Sequence, residues 1–299
     1  MVSRIQKNKE KVKSLKKTVN KEHSNFFKKI LYRFLIFLFI IVFIGGLIYL
    51  YARYIGSSGL KINEYLITNS TIPKSFEGTK IIHLSDIHYN KDTNLKKLTK
   101  EINKYKPDII VFTGDLIKDN YKLNASDKLT IIKYLKKIDS SIGKYYISGE
   151  DDNKDTSIIF KDSNFKDLNN NYDVIYNNSL NPILITGIET NNIDMDKAFQ
   201  YYTDPLNENI YTISLVHNPK DIKELLTRFS PNLVLAGHTH NYHINIPYLN
   251  KLIYQNYYKS NYQVNKSKIF ISGGIGTDQY NIRLFNHPSI NVYRLEKNI

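Results

Sequence analysis

Lys80-Ile81-Ile82-His83-Leu84-Ser85-Asp86-Ile87-His88 is a short apolar run that opens into an acid and a histidine. An apolar run of this length, bounded by polar residues, reads as a buried strand. The Asp-x-His at its exit is where an α/β sheet presents side chains to a ligand. Read outward from this stretch, the same pattern recurs along the chain.

Leu95, Leu98, Ile102 and Tyr105 follow at helical spacing and are stopped by Pro107. A second apolar strand, 108–113, ends in Thr113-Gly114-Asp115. Leu129, Ile132, Leu135 and Ile138 mark a second amphipathic helix, and a third strand, 144–148, ends in Gly149-Glu150-Asp151-Asp152. Strands alternating with helices in this way predict a largely parallel sheet in an α/β domain. Beyond residue 165 shorter strands are expected at 173–177, 182–188, 210–216, 232–236, 244–248 and 268–273. Helical patches near 192–202 and 219–228 interrupt them. This part predicts a second, more antiparallel sheet packed on the first. Two of its strands also end in metal-competent residues, at His217 and at Gly237-His238-Thr239-His240.

A different pattern precedes the domain. Residues 34–52, FLIFLFIIVFIGGLIYLYA, contain no charge and are closed by Arg33 and Arg53. Nineteen residues at 1.5 Å each just span a hydrocarbon core of about 30 Å. The 33 residues before them are too many, and too basic, for the leading region of a cleaved signal peptide. The reading is an uncleaved, single-pass anchor. The chain carries a net charge of +14, but +9 of it lies in residues 1–33, which hold 11 Lys or Arg and two acids. The basic excess is therefore a tail beside a membrane span, and nucleic acid is not expected as a partner. Basic residues orient a span with their side in the cytoplasm. The expected organisation is a basic cytoplasmic tail over 1–33, a transmembrane helix over 34–52, a linker and domain entry over 53–79 and an extracytoplasmic domain over 80–299.

The absence of cysteine excludes disulfides, thiolate zinc sites, iron–sulfur clusters and cysteine nucleophiles. Any metal must be held by His, carboxylate or amide ligands. Asp86, His88, Asp115, His217, His238 and His240 lie at the exits of strands that can converge on one crevice. Gly114, Gly149 and Gly237 allow the backbone to come close there. His83, His243, His287 and His23 read as structural or surface residues. Gly274-Ile275-Gly276 lacks the third glycine of a dinucleotide fingerprint and reads as a strand-end turn.

The order DIH, GD, a G-x-x-D turn, a lone His and GHTH resembles the calcineurin-like metallophosphoesterases, and most of all their membrane-anchored bacterial branch. The resemblance implies a four-layer α/β/β/α sandwich with an N-terminal transmembrane helix and a two-metal site. Asp86, His88 and His240 would hold one divalent ion, His217 and His238 the other, with Asp115 bridging and Glu150 completing the second. Imidazole mixed with carboxylate suits Mn²⁺, Fe or Zn²⁺. The implied activity is hydrolysis of a phosphomonoester or phosphodiester by a metal-bridging hydroxide at the outer face of the cytoplasmic membrane.

One turn departs from the family. Its Gly-Asn-His-Asp reads Gly149-Glu150-Asp151-Asp152 here. Glu150 adds a negative charge where a neutral amide is usual, and Asp151 replaces the imidazole that would assist the leaving group. Asp151 is then the candidate proton donor, and reduced activity is expected. The rival reading is a degenerate member that binds metal as a surface scaffold or sensor. The loops 117–128 and 249–266 are the expected determinants of specificity.

Overall fold

The structure, a computed structural model, describes residues 4–203, 209–246, 249–253, 257, 259–277 and 281–298. It divides into two units, 1–51 and 52–299. The first is a single helix, α1 (Arg4–Leu50). The span Asn25–Gly56 contains an 18-residue window of mean hydropathy 2.8 and is long and apolar enough to cross a membrane. Its apolar side chains are exposed from Phe34 to Leu50, so nothing in the first unit covers them.

The second unit holds two six-stranded sheets. The first runs β1 (Lys61–Thr68), β12 (Ser289–Glu296), β2 (Lys80–Leu84), β3 (Ile109–Thr113), β4 (Gly143–Ile147) and β5 (Lys166–Asp167). Strands β2 to β5 are parallel. They are linked by α2 (Leu95–Lys104), α3 (Ala125–Lys136) and α4 (Lys154–Asp162). The second sheet runs β10 (Asn261–Val264), β11 (Ser267–Ile271), β9 (Leu233–Ala236), β8 (Tyr211–Val216), β7 (Ile183–Ile188) and β6 (Asn171–Ile175). Against expectation its centre is parallel, from β11 through β9 and β8 to β7. Only the two edge pairings are antiparallel. The connections through α5 (Met195–Ala198) and α6 (Ile222–Arg228) are crossovers, which return a strand parallel to the one before.

Burial accounts for the layers. Along β2, Ile81 packs between the sheets while Ile82 and Leu84 pack under the helices. Ile109 and Val111 of β3 alternate with Ile110 and Phe112 in the same way. In the second sheet Leu233 and Leu235 face the first, while Val234 and Ala236 pack with Met195, Phe199, Ile222 and Leu225. Strands buried on both faces have no polar side, which explains their continuous apolar runs. The result is the expected α/β/β/α sandwich.

Two local expectations are corrected. Leu129 of α3 is exposed and Ile131 is buried instead. Residues 244–246 form no strand, only an isolated bridge between Ile244 and Leu284, and 247–248 lie outside the described residues. Within the stretch expected as linker and domain entry, strand β1 pairs along its whole length with β12. Helix α4 starts directly after the Gly149–Asp152 turn, capped by Asn153, whose side chain accepts from Asp155 N.

Candidate metal centre

The parallel strands β2, β3, β4, β8 and β9 all deliver their carboxyl ends to one edge of the sandwich. Asp86 and His88 follow β2, Asp115 follows β3, Glu150 and Asp151 follow β4, His217 follows β8, and His238 and His240 follow β9. Five of these residues, Asp86, His88, Asp115, His238 and His240, adopt left-handed backbone with φ between 41° and 65°. Non-glycine residues rarely do so, and a concentration of them marks a site where tertiary structure holds the backbone against its preference. Gly149 has to be glycine for a simpler reason. A Cβ there would fall on the Asp115 carboxylate, with Asp115 Cγ at 2.7 Å.

Two groups of ligand atoms result. In the first, His88 Nε2 and His240 Nε2 face each other at 3.0 Å, with Asp86 Oδ1 3.4 Å from His240 Nε2 and 4.0 Å from His88 Nε2. Two ring lone pairs cannot hydrogen-bond to one another, but both can coordinate a cation. His240 Nδ1 is engaged away from the cluster, 2.7 Å from His243 Nε2 and 3.3 Å from Arg283 Nη2, which leaves Nε2 as the atom that faces it. In the second group, Asp115 Oδ2 stands 3.2 Å from His217 Nε2, and His238 completes the cluster. Thr113 O accepts from His217 Nδ1 at 2.6 Å, so Nε2 is the atom that faces the site. That buried Nε2 has no aligned hydrogen bond. Asp115 Oδ2 is also 3.9 Å from His88 Nε2, so one carboxylate lies between both groups.

Electrostatics fit a cation site. Burial works against the charge on His217, but the adjacent Asp115 outweighs it and lifts the imidazole to about 10. Burial likewise tends to raise Asp115, yet His217 and His88 hold it down at about 2. A divalent ion satisfies the same carboxylate that the imidazolium proton satisfies without one. The donor set of imidazole nitrogen and carboxylate oxygen therefore suits a borderline divalent metal. The residues that would hold it are Asp86, His88 and His240 on one side and Asp115, His217 and His238 on the other.

The altered turn stands beside the second group. Asp151 forms a third cluster with His88 and Asp115, its Oδ2 3.9 Å from His88 Nδ1, and its N–H donates to Asp115 Oδ1 at 3.0 Å. Glu150 lies further out. Its Oε2 is 3.9 Å from His238 Nδ1 and its Oε1 accepts from Asn218 Nδ2 at 2.7 Å, and none of the three clusters includes it.

Four residues have roles the sequence reading does not assign. Asp152 accepts from the backbone N–H groups of Asp115, Leu116 and Gly149 at 2.8, 3.0 and 2.8 Å, clamping the β3 and β4 loops together. Burial, with the charge of Asp115, pushes it up to about 6. His243, read as structural, touches a candidate ligand. Arg283, fully buried, donates to Gly273 O at 2.7 Å and Gly276 O at 2.5 Å, and its Nη2 is 3.3 Å from His240 Nδ1. Asn218 holds Glu150. The signal for Asp152 was the last residue of the quoted turn; for Arg283 there was none, since it meets the site only through long-range folding. His83, by contrast, is a buried histidine away from the ligand groups, bonded to Thr113 Oγ1 at 2.8 Å and lowered by burial to about 3.

A two-sheet α/β sandwich with paired Asp and His groups at its strand ends defines a metallophosphoesterase-type site. The calcineurin-like phosphoesterase family model matches residues 79–242, and the chain belongs to that family. It is similar to the metallophosphoesterase YkuE of Bacillus subtilis, 30% identical over 84% of this chain and 90% of that one. It is also similar to the metallophosphoesterase Cj0846 of Campylobacter jejuni, 29% identical over 80% of this chain and 65% of that one. Among solved structures, the sulfate thiohydrolase SoxB of Thermus thermophilus covers 75% of this chain at 10% identity, with a TM-score of 0.44 and 57% of its own chain aligned.

Proposed function

We propose that this chain is a membrane-tethered phosphoesterase that holds two divalent ions and hydrolyses a phosphomonoester or phosphodiester outside the cytoplasm. The observation that carries the reading is Asp115, whose Oδ2 lies between the two groups, 3.2 Å from His217 Nε2 and 3.9 Å from His88 Nε2. His88, Asp115 and His238 line a cavity of 670 Å³ together with Lys118, Asp119, Asn120, Glu150, Asp151, His243, Ile244 and Ile282. Among the described lining residues four carboxylates against one ammonium repel a phosphate, so substrate binding requires the cations. Divalent ions there would neutralise phosphate oxygens and lower the pKa of an attacking water.

The chain's own residues do the rest. Lys118, with no ion-pair partner among the described residues, is the one cationic side chain on the wall and orients the phosphate. Asp151, half-exposed beside His88, is the group positioned to pass a proton from its Oδ2 to the leaving oxygen. The loop 117–128 supplies Lys118, Asp119 and Asn120 to the cavity, whereas no described residue of 249–266 lines it. The exposed apolar face of α1 supports a bilayer anchor, and the basic tail supports a cytoplasmic N-terminus.

The full chain in detergent, loaded with Mn²⁺, is expected to hydrolyse nitrophenyl phosphate or bis-nitrophenyl phosphate, and Asp115→Asn to abolish this. Folded protein with bound metal and no turnover on either ester would contradict the enzyme reading and favour a metal-binding scaffold.

A further inference from the structure

The apolar segment that ends at Gly56 continues into the second unit, where residues 52–56 form the start of the fold. Ala52 is 3% exposed, and its carbonyl accepts the backbone N–H of Arg283 at 3.0 Å. Ile282, one residue earlier, lines the catalytic cavity. The same strip then pairs across to the loop after His240: Leu284 N donates to His243 O at 2.8 Å and Asn245 N to Leu284 O at 2.9 Å. This pairing carries the second apolar wall residue, Ile244. The cavity thus has two unlike sides. Lys118, Asp119 and Asn120 make one polar. Ile244 and Ile282 make the other apolar, and it is this side that is tied to the end of the apolar segment. Exposed apolar or aromatic side chains flank these contacts, Tyr54 and Ile55 after Ala52 and Ile244 and Phe285 on the paired strip.

A soluble phosphoester such as a sugar phosphate has no apolar part to place against Ile244 and Ile282. A phosphoester carrying an acyl or prenyl chain does. We infer that the site takes a lipid-linked phosphoester from the bilayer surface, its phosphate between Lys118 and the Asp115 groups and its chain along the Ile244–Ile282 wall. This rests on the phosphoesterase reading above and on α1 entering a bilayer. The reaction is simple hydrolysis. The P–O bond to the leaving oxygen breaks, water's oxygen bonds to phosphorus, and a proton reaches the leaving oxygen through Asp151. The occupant of the exposed apolar strip is then the lipid surface that presents the substrate.

The chain contains no Trp, so Ile244→Trp and Phe285→Trp each introduce a sole indole. Leu180→Trp serves as the control. Leu180 is 91% exposed in the β6–β7 turn, at the amino end of β7 and therefore at the sheet edge opposite the site. With the full chain reconstituted in vesicles, phosphatidylcholine brominated on its acyl chains should quench Trp at 244 and at 285 but not at 180. Quenching at 244 no stronger than at 180 overturns the inference. For substrate class, metal-loaded chain in vesicles is given phosphatidate against glycerol 3-phosphate, and phosphatidylglycerol against glycerophosphoglycerol. The inference expects kcat/KM at least about tenfold higher for one lipid than for its water-soluble head group. It also expects Ile244→Asn/Ile282→Asn to lower lipid turnover about tenfold more than nitrophenyl ester turnover. Turnover of nitrophenyl esters with no lipid preference overturns the lipid assignment alone. No turnover of any ester by metal-replete chain overturns the phosphoesterase reading with it.

Discussion

The two ligand groups meet at Asp115, 3.2 Å from His217 and 3.9 Å from His88, but differ in enclosure. Around Asp86, His88 and His240 every side chain is buried. His240 is backed by His243 and Arg283, and the segment after β11 closes underneath, with Gly276 N donating to Asp86 O at 2.7 Å. Around Asp115 and His217 the enclosure stops at His238, 30% exposed, and at Glu150, 43% exposed. Of the two residues that depart from the family's turn, Glu150 lies toward this open side, whereas the Asp151 carboxylate stands beside His88 and Asp115. Enclosure fixes ligands before a metal arrives, so the closed group should bind the more tightly and tolerate change the less.

The largest effect belongs to the residue common to both groups. Asp115→Asn removes the shared charge and should lower kcat/KM by about 10³-fold or more, since the ions supply several kcal/mol of charge stabilisation. It should also lower metal content at both groups. Loss at only one group would break the comparison, because Asp115 would then serve a single ion. Next comes His243→Ala, which removes the side chain that stands 2.7 Å from His240 Nδ1 and helps hold the ring. Titration of the purified chain with Mn²⁺ should show affinity in the closed group falling about 10–100-fold, with the open group unchanged. Unchanged binding in both would return His243 to a purely structural role.

Smaller effects are expected on the open side. Glu150→Ala should weaken the second ion by only a few-fold, because Glu150 approaches His238 no nearer than 3.9 Å and Asn218 already holds its other oxygen. The double change Glu150→Asn with Asp151→His should raise turnover of alkyl phosphates more than that of nitrophenyl phosphates, since a poor leaving group gains most from protonation. Equal effects on both substrates would mean that Asp151 does not reach the leaving oxygen.

The smallest effect sharpens the comparison with a histidine outside both groups. His83 is lowered to about 3 by burial between the sheets, below the 6.5 of an unfolded chain. Its neutral form therefore favours the fold above pH 6.5, and this contribution is lost as pH falls toward the folded value. Chemical denaturation from pH 7 to 5 should show the wild type losing stability with a steeper acid slope than His83→Asn. Parallel slopes would show that His83 takes up no proton on unfolding.

Much of this was legible before any coordinates. Strands β2, β3, β8 and β9 announce themselves because both faces are buried and the runs are mostly apolar, with His83 in β2 and Thr212 and Ser214 in β8 as internal polar residues. The acids and most of the histidines stand at the strand exits. The direction of the second sheet was not legible. Its strands are short and separated by turn residues, as in an antiparallel sheet, while the parallel order depends on crossovers through α5 and α6. Strand β1 was hidden because it alternates half-exposed residues and finds its partner, β12, more than 200 positions away. The stretch 244–248 alternates apolar and polar residues like a strand. Ile244 nonetheless forms only a single bridge, in a loop where His240, Asn241 and Tyr242 are all left-handed. No local rule predicts left-handed backbone at five histidines and aspartates, because tertiary contacts impose it. That same imposition makes them a site.

The shared role of Asp115 is tested most directly by electron paramagnetic resonance of the Mn²⁺-loaded chain, with metal counted on the same sample. The account predicts two Mn²⁺ per chain whose spectrum shows exchange coupling, and loss of the coupling in Asp115→Asn. One ion per chain, or two uncoupled ions with a spectrum indifferent to Asp115→Asn, would contradict it.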